Sequence, residues 1–205
     1  QFKKAKHKQH FVRAQTAHAA KTDGKQQNAR HTGQVLLSHN AHEPLPMAST
    51  TKVMTALLAL EYGGLDEVVT VGRNAYGVPG TSIYLGLGET ITLRDLLYGL
   101  MLRSGNDAAV ALAIYCGGTV EGFSEMMNDK ARQLGLNGTH FENPHGLDGE
   151  HHHASALDLA RLMAYAMGNS AFAEIVGTRS ATVHGITYVK ENKRKIRLQI
   201  RTVDW

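Results

Sequence analysis

The sequence holds a single cysteine, Cys116, among 205 residues, so neither an intramolecular disulfide nor a Cys-x-x-Cys metal site can be built from it. Cys116 reads as a small core residue. Long apolar runs are also missing. The longest, "ALLAL" and "AAVALAIYC", fall well short of the roughly 18 residues that cross a bilayer, so no membrane span is expected. The chain opens on Gln1 rather than Met and shows no signal-peptide apolar segment, as expected of a processed exported protein or a fragment.

What is present is a hydrophobic fraction of 42%, enough for a substantial core in one domain with tails. The net charge of +4 conceals an asymmetry. Residues 1–30 carry eight basic residues against one acidic, residues 31–188 eight against fifteen, and residues 189–205 six against two. The basic ends could touch nucleic acid, anionic lipid or an anionic wall polymer. They are read as solvated tails, because no aromatic interleaving or nucleic-acid motif accompanies the charge.

The spacing of apolar residues sets out the expected elements. Residues 1–31 form a basic segment without apolar periodicity, mobile or weakly helical. "QVLLSHN" has strand character, and a helix nearly apolar all round, hence buried, is expected from Met47 to Glu61 with a stop at Gly63 and Gly64. "EVVTVG" reads as a strand. Thr92 with Asp95 and Ser155 with Asp158 form capping boxes for the helices "LRDLLYGLMLR" and "ALDLARLMAYAM". "SGN" is a tight connection before the helix "DAAVALAIY", "EGFSEMMNDKARQLGL" is an amphipathic helix, and "NPHGLDGE" is a turn-rich loop. "ATVHGITYV" reads as one strand, and residues 189–205 form a second basic segment.

In "MASTTKVMTALLALE" Ser49 and Lys52 stand one helical turn apart and share a face. A helix N-terminus favours negative charge, which suits a serine that becomes alkoxide-like. Lys52 can take the serine proton only if desolvation brings its pKa down from about 10.4 to roughly 7–8. Its helical neighbours Ala48, Ser49, Thr55 and Ala56 include no carboxylate to hold the proton on. Eight serines give about 0.4 chance Ser-x-x-Lys matches, so the spacing alone does not identify a site. A lysine in an apolar helix without an acid is less ordinary. Ser104 and Asn106, in "SGN" on an interhelical turn, add a hydroxyl and an amide that can face one cleft.

Ser-x-x-Lys followed by Ser-x-Asn is the pattern of serine penicillin-recognising enzymes. The stretches "TGQVLLSHNAHEPLPMASTTKVMTALLALE", "GTSIYLGLGETITLRDLLYGLMLRSGNDAAVALA" and "GTHFENPHGLDGEHHHASALDLARLM" resemble the D-alanyl-D-alanine carboxypeptidases, the low-molecular-mass penicillin-binding proteins of serine peptidase family S11. The resemblance implies an α/β fold of the β-lactamase and penicillin-binding-protein transpeptidase-like kind, a helical subdomain beside an antiparallel sheet, occupying residues 32–188. It implies Ser49 as the acylated nucleophile, Lys52 as its base, Ser104 as a proton relay and Asn106 as a substrate-amide contact. The substrate would be a peptidoglycan stem peptide ending in D-Ala-D-Ala, with β-lactams as covalent inhibitors. No metal or organic cofactor and no nucleic acid is implied, and the location would be extracytoplasmic, in the periplasm or on the outer face of the cell membrane.

The sequence departs from that pattern in one respect. The family's Lys-Thr-Gly triad on a later strand has no counterpart after residue 188, and "AKTDG" at Lys21–Gly24 is neither that triad nor on the expected side of Ser49. The expectation is a truncated, incomplete sheet and severely reduced turnover. Two rivals stand beside this reading: a β-lactamase on the same scaffold, and, of another class, a truncated non-catalytic protein that binds wall peptide or folds poorly. His151–His153 lack the spaced ligands of a zinc site, "GLGETI" lacks the full dinucleotide motif, and Glu142 lacks the setting of a class A β-lactamase deacylating base.

Overall fold

The computed structural model describes residues 40–183 and 185–189, and all of their secondary structure lies in the compact unit His42–Glu191. The strand expected in "QVLLSHN", the basic segment 1–31 and nearly all of the second basic segment lie outside the described residues. A short 3-10 turn, Ala48–Thr51, leads into α1, Lys52–Tyr62; strands β1, Val68–Thr70, and β2, Thr90–Thr92, follow. Then come α2, Leu93–Arg103, α3, Asn106–Gly117, α4, Val120–Gln133, α5, Ala156–Ala166, and α6, Ser170–Gly177. The hairpin β3, Ser180–Val183, and β4, Ile186–Val189, ends the described fold.

α1 carries no polar stripe, and its residues Lys52–Ala59 are all buried, so it forms the centre of the helical layer. α3 packs against it, with α2 and α4 alongside. The alanines of α3 at 108, 109, 111 and 113 are almost fully buried and keep that helix slim enough for a crowded position. α4 is amphipathic as expected, burying Phe123, Met127 and Ala131. Both capping boxes form at their first bond: Thr92 accepts from the Asp95 amide and Ser155 from the Asp158 amide, each worth about 1 kcal/mol.

β1 and β2 pair antiparallel, with Val69 opposite Ile91; β3 and β4 do likewise, with Ser180 opposite Val189. "ATVHGITYV", expected as one strand, is therefore a hairpin. Gly185, at φ 76°, supplies the left-handed backbone that reverses the chain. β2 and α6 were not foreseen. β2 is three residues long, and α6 is capped by Asn169, whose side chain accepts from the Ala171 and Phe172 amides.

The loop before β2 is fastened to α3 by Asp107. Its buried carboxylate accepts from the backbone amides of Ile83, Leu85 and Ala108 and from the Ser82 hydroxyl. A negative charge at a helix N-terminus is favoured by the free amides and the macrodipole there. This anchorage fixes residues 79–85 beside the start of α3, where Asn106 stands.

Candidate active site

Ser49 lies in the 3-10 turn and Lys52 begins α1, so the three-residue spacing becomes a contact: Lys52 Nζ stands 3.3 Å from Ser49 Oγ. Lys52 is only 2% exposed. Its Nζ also donates to Asn106 Oδ1 at 2.9 Å and to the His145 carbonyl at 2.6 Å. Among the described residues no carboxylate forms an ion pair with it. Burial lowers its pKa from 10.5 to about 8, with the more distant Asp107 pulling the other way. With two of its four tetrahedral directions pointed at oxygens that only accept, the nitrogen turns toward Ser49 either a proton or, when neutral, a lone pair.

Ser104 reaches the same point from the C-terminal end of α2. Its hydroxyl donates to Ser49 Oγ at 3.0 Å, and its backbone is left-handed, at φ 60° and ψ 36°. Ala48, directly before Ser49, is at φ 46°. A side chain in this region costs about 1–2 kcal/mol, so both serines are presented by backbone that surrounding contacts must hold in place.

Asn106 is 5% exposed and occupied on both sides. Its Oδ1 receives Lys52, its Nδ2 donates to the Pro79 carbonyl at 2.7 Å, and its backbone amide donates to the Thr81 carbonyl at 2.7 Å. One Nδ2 hydrogen and one Oδ1 lone pair remain for anything else. The sequence reading gives Asn106 to the substrate; the structure also makes it a neighbour of Lys52.

The loop after α4 contributes what the sequence reading missed. Asn143 Oδ1 accepts from the amides of His145 and Gly146, turning the chain so that the Pro144 carbonyl meets Thr55 Oγ1 and the His145 carbonyl meets Lys52. Gly146 is at φ 89° and presses on Ala48 so closely that a Cβ there would collide with the Ala48 carbonyl. The imidazole of His145 is pushed down to about 4 by burial and then by the nearby Lys52 and His152. His152, 4% exposed, lies between Thr51 and the Glu142 amide. His140 and His153 pair through their backbones instead. Among the described residues no three His, Cys, Asp or Glu side chains are grouped to hold a metal.

The profile of the D-alanyl-D-alanine carboxypeptidase family, Peptidase S11, matches residues 14–202. D-alanyl-D-alanine carboxypeptidase DacD of Escherichia coli is 41% identical over 173 residues, 78% of this chain and 45% of that protein. DacF of Bacillus subtilis is 38% identical over 171 residues, 81% of this chain and 42% of that protein. The chain thus spans less than half the length of these relatives. The crystal structure of penicillin-binding protein 6B from Escherichia coli matches with a TM-score of 0.74 at 39% identity, covering 78% of this chain and 54% of that one. The Streptomyces K15 DD-transpeptidase also matches with a TM-score of 0.74, at 33% identity, covering 80% and 71%. The fold is accordingly the penicillin-binding-protein transpeptidase-like one, helices with small antiparallel sheets, and the chain belongs to the D-alanyl-D-alanine carboxypeptidase family of serine peptidases.

Proposed function

We propose that this chain acts as a serine-type D-Ala-D-Ala carboxypeptidase, removing the terminal D-Ala from peptidoglycan stem peptides through an acyl-enzyme on Ser49. The observation that carries this reading is a buried lysine with no acid partner among the described residues, 3.3 Å from a serine hydroxyl. At an ordinary pKa near 10.4 about one lysine in 2,500 is neutral at pH 7; at about 8, roughly one in ten is. The same displacement costs about 3 kcal/mol of stability at pH 7, a price typical of a site arranged for chemistry.

In the proposed reaction the Ser49 proton passes to Lys52 Nζ as Oγ bonds to the carbonyl carbon of the penultimate D-Ala. The C–N bond then breaks, and the proton returns from Lys52 through Ser104 to the departing amine nitrogen. Water attacks the ester, and Ser49 recovers its proton. The Ser49 amide, near the N-terminus of α1, supplies one donor to the oxyanion. A second oxyanion donor beside that amide would be worth about 100–1,000-fold in turnover. Stem peptides and β-lactams are the proposed partners, and an extracytoplasmic location goes with them.

Labelling with a fluorescent penicillin, followed by mass spectrometry, tests the reading. A persistent adduct on Ser49 is expected, and it disappears in Ser49→Ala. Rapid release of hydrolysed penicillin would make the chain a β-lactamase instead, and no adduct on Ser49 under any condition would leave the non-catalytic binder.

A further inference from the structure

Two segments that the chain separates by about a hundred residues meet at one buried imidazole. His152 Nδ1 accepts from the Glu142 backbone amide at 3.0 Å, and Nε2 lies 2.8 Å from Thr51 Oγ1. The first contact settles the tautomer. An amide can only donate, so Nδ1 is bare and Nε2 carries the hydrogen. The Thr51 oxygen therefore receives that hydrogen, and its own proton goes to the Ala48 carbonyl, 2.8 Å away.

Each end of this chain of bonds reaches the candidate site. Ala48 is the left-handed residue immediately before Ser49. Glu142 opens the loop whose next residues place the Pro144 carbonyl on Thr55 and the His145 carbonyl on Lys52. We propose that His152 is a positioning residue, a cross-brace that holds the Ser49 turn and the His145 carbonyl at a fixed separation and so keeps water away from Lys52. This rests on the reading of Ser49 and Lys52 given above, but it assigns a role to a side chain that touches neither.

The titratable groups around the ring are consistent with a neutral brace. Burial is the main influence and lowers its pKa; Glu142 and Asp148 raise it, and His140 and His153 lower it. A proton added to Nδ1 would oppose the Glu142 amide.

The test uses the 205-residue chain, with Lys52 observed by NMR in protein carrying ¹³C,¹⁵N-labelled lysine and acylation followed with a fluorescent penicillin. His152→Phe is expected to move the Lys52 pKa up by at least one unit, from about 8, and to slow the acylation step ten-fold or more with initial penicillin binding within about two-fold. His152→Gln, which keeps an N–H for Thr51, should recover most of the loss. If His152→Phe does not fold, Thr51→Val must produce the same displacement at Lys52. A Lys52 titration unchanged in whichever of these variants folds overturns the inference, as does a ¹⁵N spectrum showing the hydrogen of His152 on Nδ1. Labelling that survives Ser49→Ala would instead sink the reading of the nucleophile while leaving the brace measurable at Lys52.

Discussion

At the C-terminal end of α1, Lys130 Nζ lies 2.7 Å from Glu61 Oε1 and 4.8 Å from the centroid of the Tyr165 ring. At the N-terminal end, the hydrogen-bond partners of Lys52 among the described residues are all uncharged oxygens. Both amines lose water. For Lys130 that desolvation is outweighed by the hydrogen bonds to Glu61 and Tyr165, and its pKa rises; for Lys52 nothing outweighs it, and the pKa falls to about 8. The same residue type against the same helix becomes a fixed cation or an amine that sheds its proton more readily according to whether an acid answers it.

Removing the Lys52 amine has the largest expected effect: Lys52→Met should slow Ser49 acylation by about 100–10,000-fold, measured as the second-order rate with penicillin. Next comes giving Lys52 the acid that Lys130 already has. Asn106→Asp puts a carboxylate on the atom 2.9 Å from Nζ, and should raise its pKa by about 1–2 units and slow acylation at pH 7 by about 10–100-fold.

The unaltered protein offers a pH test of both kinds of group. Acylation should fall about ten-fold per unit as pH drops below about 8, where Lys52 keeps its proton. Stability should rise from pH 8 toward 10.5, because the unfolded chain then binds the lysine proton more strongly than the folded one. The histidine signs run the same way. His145, displaced from 6.5 to about 4, makes the folded state lose stability as pH falls from 6.5 toward 4, visible in urea unfolding midpoints. The smallest effect is at the other end of the helix: Glu61→Gln should lower the Lys130 pKa and cost about 0.5–1 kcal/mol, with acylation within about two-fold of the parent.

The contact between Ser49 and Lys52 was legible because a helical turn converts spacing directly into proximity. The helices were legible where caps and apolar periodicity agreed, as at Thr92 and Ser155. α6 escaped because it is only eight residues long, and the hairpin at 180–189 reads as one strand because a single glycine inside a β-rich run carries the reversal. The partners of Lys52 were harder. Asn106 joins it across 54 positions, and the His145 contribution comes from a carbonyl that every residue possesses, so no letter in the sequence announces it. His152 stands out in the sequence only as one of three adjacent histidines. Its importance depends on which ring nitrogen faces an amide, and only coordinates supply that.

Gly146 touches the Ala48 carbonyl with nothing but its backbone, and it therefore has no chemistry of its own to lose. A saturation screen scored by penicillin labelling should nonetheless return position 146 among its most intolerant sites, since any side chain there displaces the segment that carries Ser49. Position 145, which hydrogen-bonds Lys52 through its carbonyl and not its ring, should accept replacements that preserve the path of the loop, so the map of intolerance will mark the route of the backbone as clearly as it marks the reacting groups.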